Sequence, residues 1–385
     1  MKKFIACLIL IELVSCQKEN IGPTANINCV TNQIKNHSKQ DIYQSLIEKY
    51  VRKGLPGISV LLADDEGVWK GAAGMADLQN HVPFTNCHIS KAASITKILV
   101  SALTMKLQEE GKIQIDDPLS KYIDASILKK IDHAEGKTIK QCLNHSTGIY
   151  DVISGNDFYL AVLNNPNKEW NAEDLLSFVY GKKGYDLSIT YPSHYSNTNF
   201  VLVSMCIEKA TGVSHATLLK EKIFLPLGMS NTYYQGREPI PNRAVQGYFD
   251  LHNDGSIVNV SNLITGSGNG YGGVFSNIDD LYFFTKSLFI NKTLLNSTSL
   301  AAMQEFLQAE EDFYTGIGMI KKFTKKKDFG IGHTGKDLGY SADLFYFPNQ
   351  HKTMIFFVNY GTNGKSNLKQ TFLDFESELV DALLD

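Results

Sequence analysis

The sequence predicts an α+β fold in which both chain ends build one antiparallel sheet, flanked by helices, with a mostly helical region inserted between them. Three stretches carry this expectation. Residues 57–63 and 68–73 are apolar runs around Asp64-Asp65-Glu66-Gly67, a hairpin signal with Gly where positive φ is needed. Past Tyr314 the apolar period becomes two, through residues 315–323, 330–334, 340–347 and 353–360. From about residue 113 to 265 the pattern is mostly helical. Strands at the two ends bury their apolar faces by sharing a sheet, which leaves a cleft against the inserted region.

The elements follow in order. Residues 41–53 place Ile42, Tyr43, Leu46, Ile47, Tyr50 and Val51 on one helical face, capped by Asp41 and stopped by Gly54 and Pro56. A second helix opens at Ser94 and ends near Glu110, before Gly111. Asp116-Asp117-Pro118 reads as a turn. Loops hold Asn144-His145-Ser146-Thr147-Gly148 and the stretch from Tyr191 to Asn197, and a helix follows from Asn197 to Lys209. Residues 266–273 contain five glycines but lack the strand and spacing of a phosphate-cradling loop; they read as a tight connection into a helix over 277–289. Lys325-Lys326-Lys327-Asp328 is a solvated hairpin tip, and Phe372, Leu373, Phe375, Leu379, Val380, Leu383 and Leu384 mark a closing amphipathic helix.

At 385 residues, with 43% hydrophobic and 20% charged residues, the chain can form a large globular core. A net charge of −3 gives no electrostatic footprint for nucleic acid, so that partner is excluded. Met1-Lys2-Lys3 followed by the apolar run Phe4–Val14 reads as a secretory signal, too short to span a bilayer. Its end, Leu13-Val14-Ser15-Cys16, resembles the lipobox of bacterial lipoproteins. That resemblance implies cleavage before Cys16, lipidation of its thiol and a membrane anchor on an exported protein. Gln17 after the cysteine points to the outer membrane, facing the periplasm or cell surface. The expected organisation is therefore a signal over 1–16, a flexible and disordered tether over 17–40, and one domain over 41–385. Cys29, Cys87, Cys142 and Cys206 show no Cys-x-x-Cys pairing and are expected to be free and buried. No metal spacing or cofactor motif is present.

Ser94-Ile95-Thr96-Lys97 places a hydroxyl and an amine on one helical face, and a lysine among aliphatic side chains is partly neutral and able to take a proton. The spacing alone is weak, because Ser126 with Lys129 and Ser366 with Lys369 repeat it. Two further motifs follow in the chain: Tyr195-Ser196-Asn197, the only Tyr-x-Asn among 18 tyrosines, and His333-Thr334-Gly335, the only basic-Thr-Gly triplet.

Together, in this order and on these element types, the motifs resemble the penicillin-recognising serine hydrolases, in the class C β-lactamase-like branch. The resemblance spans roughly residues 57–360 and is nearest to the Streptomyces-type D-alanyl-D-alanine carboxypeptidases, through Tyr195-Ser196-Asn197-Thr198-Asn199-Phe200 and Gly332-His333-Thr334-Gly335. It implies a β-lactamase/transpeptidase-like fold. It also implies that Ser94 forms an acyl-enzyme, that Lys97 takes or steers its proton, and that Tyr195 shuttles protons at the leaving group. Asn197 would hold Lys97 and the substrate amide. His333, Thr334, Gly335 and Lys336 would line the substrate, with the N–H groups of Ser94 and Lys336 as oxyanion hole. Tyr195 can act as a base only if nearby cations lower its pKa from about 10. Asn144–Gly148 is similar to the family's His-x-Ser-Gly loop, with Thr147 where Ser is usual.

His333 stands where standard class C β-lactamases carry lysine, a substitution that occurs among carboxypeptidases, D-amino-acid peptidases and related amidases. The resemblance therefore implies a D-alanyl-D-alanine carboxypeptidase-like or D-amino-acid amide peptidase of the cell envelope, needing no cofactor. The substrate would be a small peptide, a peptidoglycan-like fragment or an ester, and a monomer is expected. The alternatives are an esterase or β-lactamase of the same family and, outside enzymes, an inactive sensor that binds β-lactams or peptidoglycan fragments.

Overall fold

The computed structural model describes residues 21–29 and 37–385. The signal run and Cys16 lie outside the described residues, as do 17–20 and 30–36 of the expected tether. Among the described residues no helix is long and apolar enough to cross a membrane.

The strands, in chain order, are β1 (Gly57–Asp64), β2 (Gly67–Asp77), β3 (Val82–Pro83), β4 (Ser90–Lys91), β5 (Tyr233–Tyr234), β6 (Tyr248–Phe249), β7 (Val258–Asn259), β8 (Val274–Ser276), β9 (Leu307–Glu310), β10 (Phe313–Thr315), β11 (Ile320–Lys322), β12 (Gly330–Asp337), β13 (Tyr340–Phe347) and β14 (Lys352–Val358). Nine of them form one sheet in the order β3-β2-β1-β14-β13-β12-β11-β10-β9. The two chain ends meet where β1 pairs antiparallel with β14, Ile58 opposite Val358 and Ala63 opposite Thr353. β4, β8 and β5 make a small second sheet beside the cleft, and β6 pairs with β7.

Because side chains alternate along a strand, the large sheet feeds two cores. On one face Ile58, Val60, Leu62, Phe345 and Phe356 pack against the helices Gln40–Arg52 and Lys369–Leu384 through Tyr43, Ile47, Tyr50, Phe375 and Leu379. On the other, Leu61, Leu344, Ile355 and Phe357 belong to the core that takes in the Thr96–Glu109 helix and the helical middle of the chain. The Asn197–Thr211 helix ends at Gly212, whose φ of 69° is the left-handed closure that glycine allows.

Several sequence expectations are corrected. Cys29 and Cys87 are not free: they form a disulfide across a sequence separation of 58, while Cys142 and Cys206 remain free and buried. No local spacing signals such a bond; it exists because folding brings residues 21–29 onto the body. There Ile21 packs with Ile89, Ala244 and Phe275, and the Ala25 N–H donates to the Asn242 carbonyl at 2.7 Å. The described part of the expected tether is thus a strap laid on the domain. The first helix begins at Gln40 without a side-chain cap, so Asp41 serves as a first-turn acid and not as the cap. The lysine tip is only partly solvated, since Lys326 pairs with Asp381 at 2.7 Å.

Candidate active site

The nucleophile candidate sits where a short turn feeds a helix. β4 delivers the chain to Ala93, whose φ of 47° is a left-handed conformation that alanine adopts at a cost of about 1 kcal/mol. A 3₁₀ turn over Ala93–Ile95 then carries Ser94 directly into the Thr96–Glu109 helix. Neighbours hold the strained residue in place. The Ala92 N–H donates to the Val274 carbonyl at 2.7 Å, and Gly335 lies so close to Ala92 that a Cβ there would meet its carbonyl oxygen at 2.2 Å. Only glycine fits at that point of β12.

Lys97, one turn after Ser94, is completely buried. Its Nζ donates to Ser94 Oγ at 2.9 Å, to Asn197 Oδ1 at 2.7 Å and to the Tyr271 carbonyl at 2.6 Å. All three acceptors are neutral, so nothing in contact offsets the loss of water. Burial brings the amine down to about 7, with Asp151 and Asp337 opposing weakly from a distance. Ser126 and Ser366 have no such setting: Ser126 is exposed, and Ser366 Oγ is taken up by Tyr360 and Gly361.

Tyr195 is hydrogen-bonded to Ser94, and its ring stacks on His145 with centroids 4.3 Å apart. Burial pushes its hydroxyl well above the ordinary tyrosine value, so the phenol stays protonated. His145 comes from the Asn144–Gly148 loop, where its Nδ1 accepts the Ser196 N–H at 3.1 Å and so anchors the residue next to Tyr195. Thr147 uses its hydroxyl to hold Asn199 at 2.8 Å.

His333 lies on β12 facing Tyr195, ring centroids 6.1 Å apart. Burial takes its pKa down to about 3, and its Nδ1 lies 2.6 Å from the Thr334 carbonyl, which fixes the proton on that nitrogen. The residue is therefore a neutral imidazole and brings no charge to the site. β11 pairs with β12 only as far as Gly332, which leaves residues 333–337 with an edge free to receive an extended ligand. Thr334 and Lys336 point to the opposite face from His333, Thr334 standing across from Asp343 on β13. The Lys336 residue is exposed at the rim of a narrow cavity lined by Ser94, Ile153, Phe158, Tyr159, Asn197 and Asp337.

Ser94, Lys97, Tyr195, Asn197 and His333 thus come together, with Gly335 packed on Ala92 and Lys336 at the cavity rim, whereas the Thr334 side chain, expected to line the substrate, turns to the other face of β12; the structure adds three residues that sequence reasoning missed. Asp151 is the first. Its carboxylate accepts the Asn197 backbone N–H at 3.0 Å and the Asn197 Nδ2 at 3.1 Å, which turns the Asn197 carbonyl oxygen toward Lys97. Nothing local distinguishes Asp151 from a loop carboxylate. The second is Tyr271, which acts through its backbone and so leaves no side-chain signal. The third is Asp337, beside Lys336 in the cavity wall. Among the described residues no cluster of side chains could hold a metal ion.

A hydroxyl held between a partly neutral amine and a protonated phenol, at the mouth of a cavity, is equipped for nucleophilic acyl transfer. Comparison with known proteins agrees. Penicillin-binding protein 4* of Bacillus subtilis is 25% identical over 342 residues, covering 85% of this chain and 72% of that protein. Protein flp of Staphylococcus aureus is 28% identical over 210 residues, but the match covers 53% of this chain and 40% of the relative. Two solved structures share the fold: a D-stereospecific amidohydrolase from Streptomyces sp. (TM-score 0.76, 24% identity, 87% of this chain and 97% of that one). The other is the D-amino acid amidase of Ochrobactrum anthropi SV3 (TM-score 0.77, 22% identity, 89% and 97%). The family model described as Beta-lactamase matches residues 43–378, and the chain belongs to the β-lactamase family of serine hydrolases.

Proposed function

We propose that the protein is an amidase of the cell envelope that cleaves D-amino-acid amides or short D-peptides through an acyl-enzyme on Ser94. The observation that carries this reading is the Lys97 amine, 2.9 Å from Ser94 Oγ and lowered to about 7 by burial. Near neutrality a large fraction of it is unprotonated and able to accept the Ser94 proton as Oγ attacks the substrate carbonyl. The backbone N–H groups of Ser94 and Lys336 stabilise the oxyanion. As the tetrahedral intermediate collapses, the Tyr195 hydroxyl gives a proton to the departing nitrogen, and the Lys97 ammonium returns one to the phenolate, which leaves both groups as they began. Water then attacks the ester, its proton returns to Ser94 Oγ, and the acid leaves. Tyr195 is a donor here and not the initial base, because burial raises its pKa where a base would need it lowered.

The neutral His333 supports an uncharged leaving group. Where a lysine would present a fixed charge to a terminal carboxylate, this imidazole offers a hydrogen bond only. A D-amino-acid amide fits that wall better than a D-alanyl-D-alanine terminus or a β-lactam. The D-stereospecific amidohydrolase and D-amino acid amidase that share the fold support this substrate class. Export by the N-terminal signal, with a lipid anchor on Cys16, is part of the same proposal. The Cys29–Cys87 disulfide supports it, since such bonds persist in oxidising compartments.

A side-by-side assay of D-phenylalanine amide, D-alanyl-D-alanine peptide, a p-nitrophenyl ester and a chromogenic cephalosporin tests the reading. Release of ammonia from the D-amide in preference to its L-isomer is expected, with covalent labelling by a fluorescent penicillin that Ser94→Ala abolishes. Faster turnover of the peptide or the cephalosporin would overturn the amide preference. Labelling without release of product would make the protein a sensor.

A further inference from the structure

Beside the reacting groups lies a charged pair that the mechanism above leaves unused. Lys91 is the last residue of β4, three positions before Ser94, and Asp337 is the last residue of β12, directly after Lys336. Lys91 Nζ meets Asp337 Oδ2 at 2.7 Å, with side-chain exposures of 3% and 13%. Thr265 bridges the two, its hydroxyl donating to Asp337 Oδ2 at 2.8 Å with Lys91 Nζ 3.4 Å away. The other carboxylate oxygen accepts the Leu338 N–H at 2.8 Å. A nearly dry ion pair therefore ties the approach to Ser94 to the residue after Lys336, and the Gly335–Ala92 contact lies between the two tie points.

We propose that Lys91 and Asp337 act as a positioning pair: they fix the separation of the Ser94 and Lys336 N–H groups, and Lys91 screens the Asp337 charge from the Lys97 amine. The proposal rests on the reading of Ser94 and Lys97 given above. Its mechanical half follows from burial, since a close ion pair at the ends of two short segments resists the small displacements that weaken an oxyanion hole. Its electrostatic half follows from what faces Lys97. Ser94, Asn197 and the Tyr271 carbonyl touch it, Tyr195, His145 and His333 surround it as neutral groups, and Asp151 and Asp337 are the carboxylates that act on it. Asp151 is occupied by Asn197. Asp337 acts on Lys97 less than Asp151 does, and Lys91 sits on its carboxylate.

The two halves of the pair make opposite predictions, which separates them from simple loss of structure. In Lys91→Met the bare Asp337 carboxylate holds Lys97 charged, and the acid limb of the kcat/KM profile moves to higher pH by about half a unit to one unit. In Asp337→Asn it moves to lower pH. Both single variants lose about ten- to a hundredfold in kcat with a smaller change in KM. Lys91→Arg retains most of the activity, and the Lys91→Met/Asp337→Asn double variant returns the limb toward its original position. The measurement is the pH–rate profile on a p-nitrophenyl ester, with thermal unfolding run in parallel. Acid limbs unmoved in both single variants, or moved in the same direction, would overturn the proposal whatever happens to stability. Failure of the underlying reading has a different signature, namely turnover or penicillin labelling that survives in Ser94→Ala.

Discussion

Lys97 and Lys322 stand on opposite sides of the same region of sheet, and their surroundings send them in opposite directions. Lys97 is fully buried among neutral acceptors, and its affinity for a proton falls. Lys322, on β11, is 25% exposed and lies between two carboxylates, pairing with Glu376 and standing 3.7 Å from Asp343 Oδ2, and its affinity for a proton rises. Burial also acts on those carboxylates: it pushes Asp343 well up, while Lys322 holds Glu376 down. Two lysines on one scaffold thus show that exclusion from water makes a base only where no carboxylate is in contact. The reactive face withholds that partner, and the structural face supplies it.

Substituting each lysine by methionine tests this contrast most directly. Lys97→Met should lower kcat/KM by about 10³- to 10⁴-fold, since it removes the proton acceptor, while leaving the unfolding midpoint equal to or above that of the native protein. A large fall in stability would show that Lys97 is held by ion pairing after all. Lys322→Met should do the reverse. We expect a loss of about 2–3 kcal/mol in urea unfolding, because two carboxylates are left without their cation, with kcat changed by less than about threefold.

A smaller effect is expected at Asp151, which acts on Lys97 through Asn197. Asp151→Asn keeps the shape but sets an NH2 group against Asn197 Nδ2 in place of the accepting Oδ2, and should reduce kcat/KM by about ten- to a hundredfold. Equal activity in that variant would mean that Asn197 is oriented by Lys97 alone. The gentlest probe is pH. Protonated Lys97 cannot accept the Ser94 proton, so kcat/KM should fall as pH drops through about 7, with no matching loss near pH 7 of stability from Lys322, which is charged throughout that range. An acid limb below pH 5 would point to a carboxylate base instead.

Much of this was readable in the chain. The period-two segments at the two ends define strands that must share a sheet, and the joining of β1 to β14 follows from that. Ser94, Lys97, Tyr195 and Asn197 stand out because short-range spacing records which side chains share a helical face or leave a loop together. The same logic fails for contacts made across long loops. Asp151 lies 46 residues from the Asn197 it orients, Lys91 is 246 from Asp337, and the Cys29–Cys87 bond closes over 58, so none leaves a periodic trace.

The sequence by itself determined which residues can carry acyl-transfer chemistry and that they lie on neighbouring element ends. Only the tertiary structure sets the proton affinities of Lys97 and Tyr195 apart, because a pKa depends on what surrounds a group in three dimensions. Lys97 is lowered to about 7 and Tyr195 is raised by the same physical cause, loss of water, acting on a cation in one case and on a neutral acid in the other.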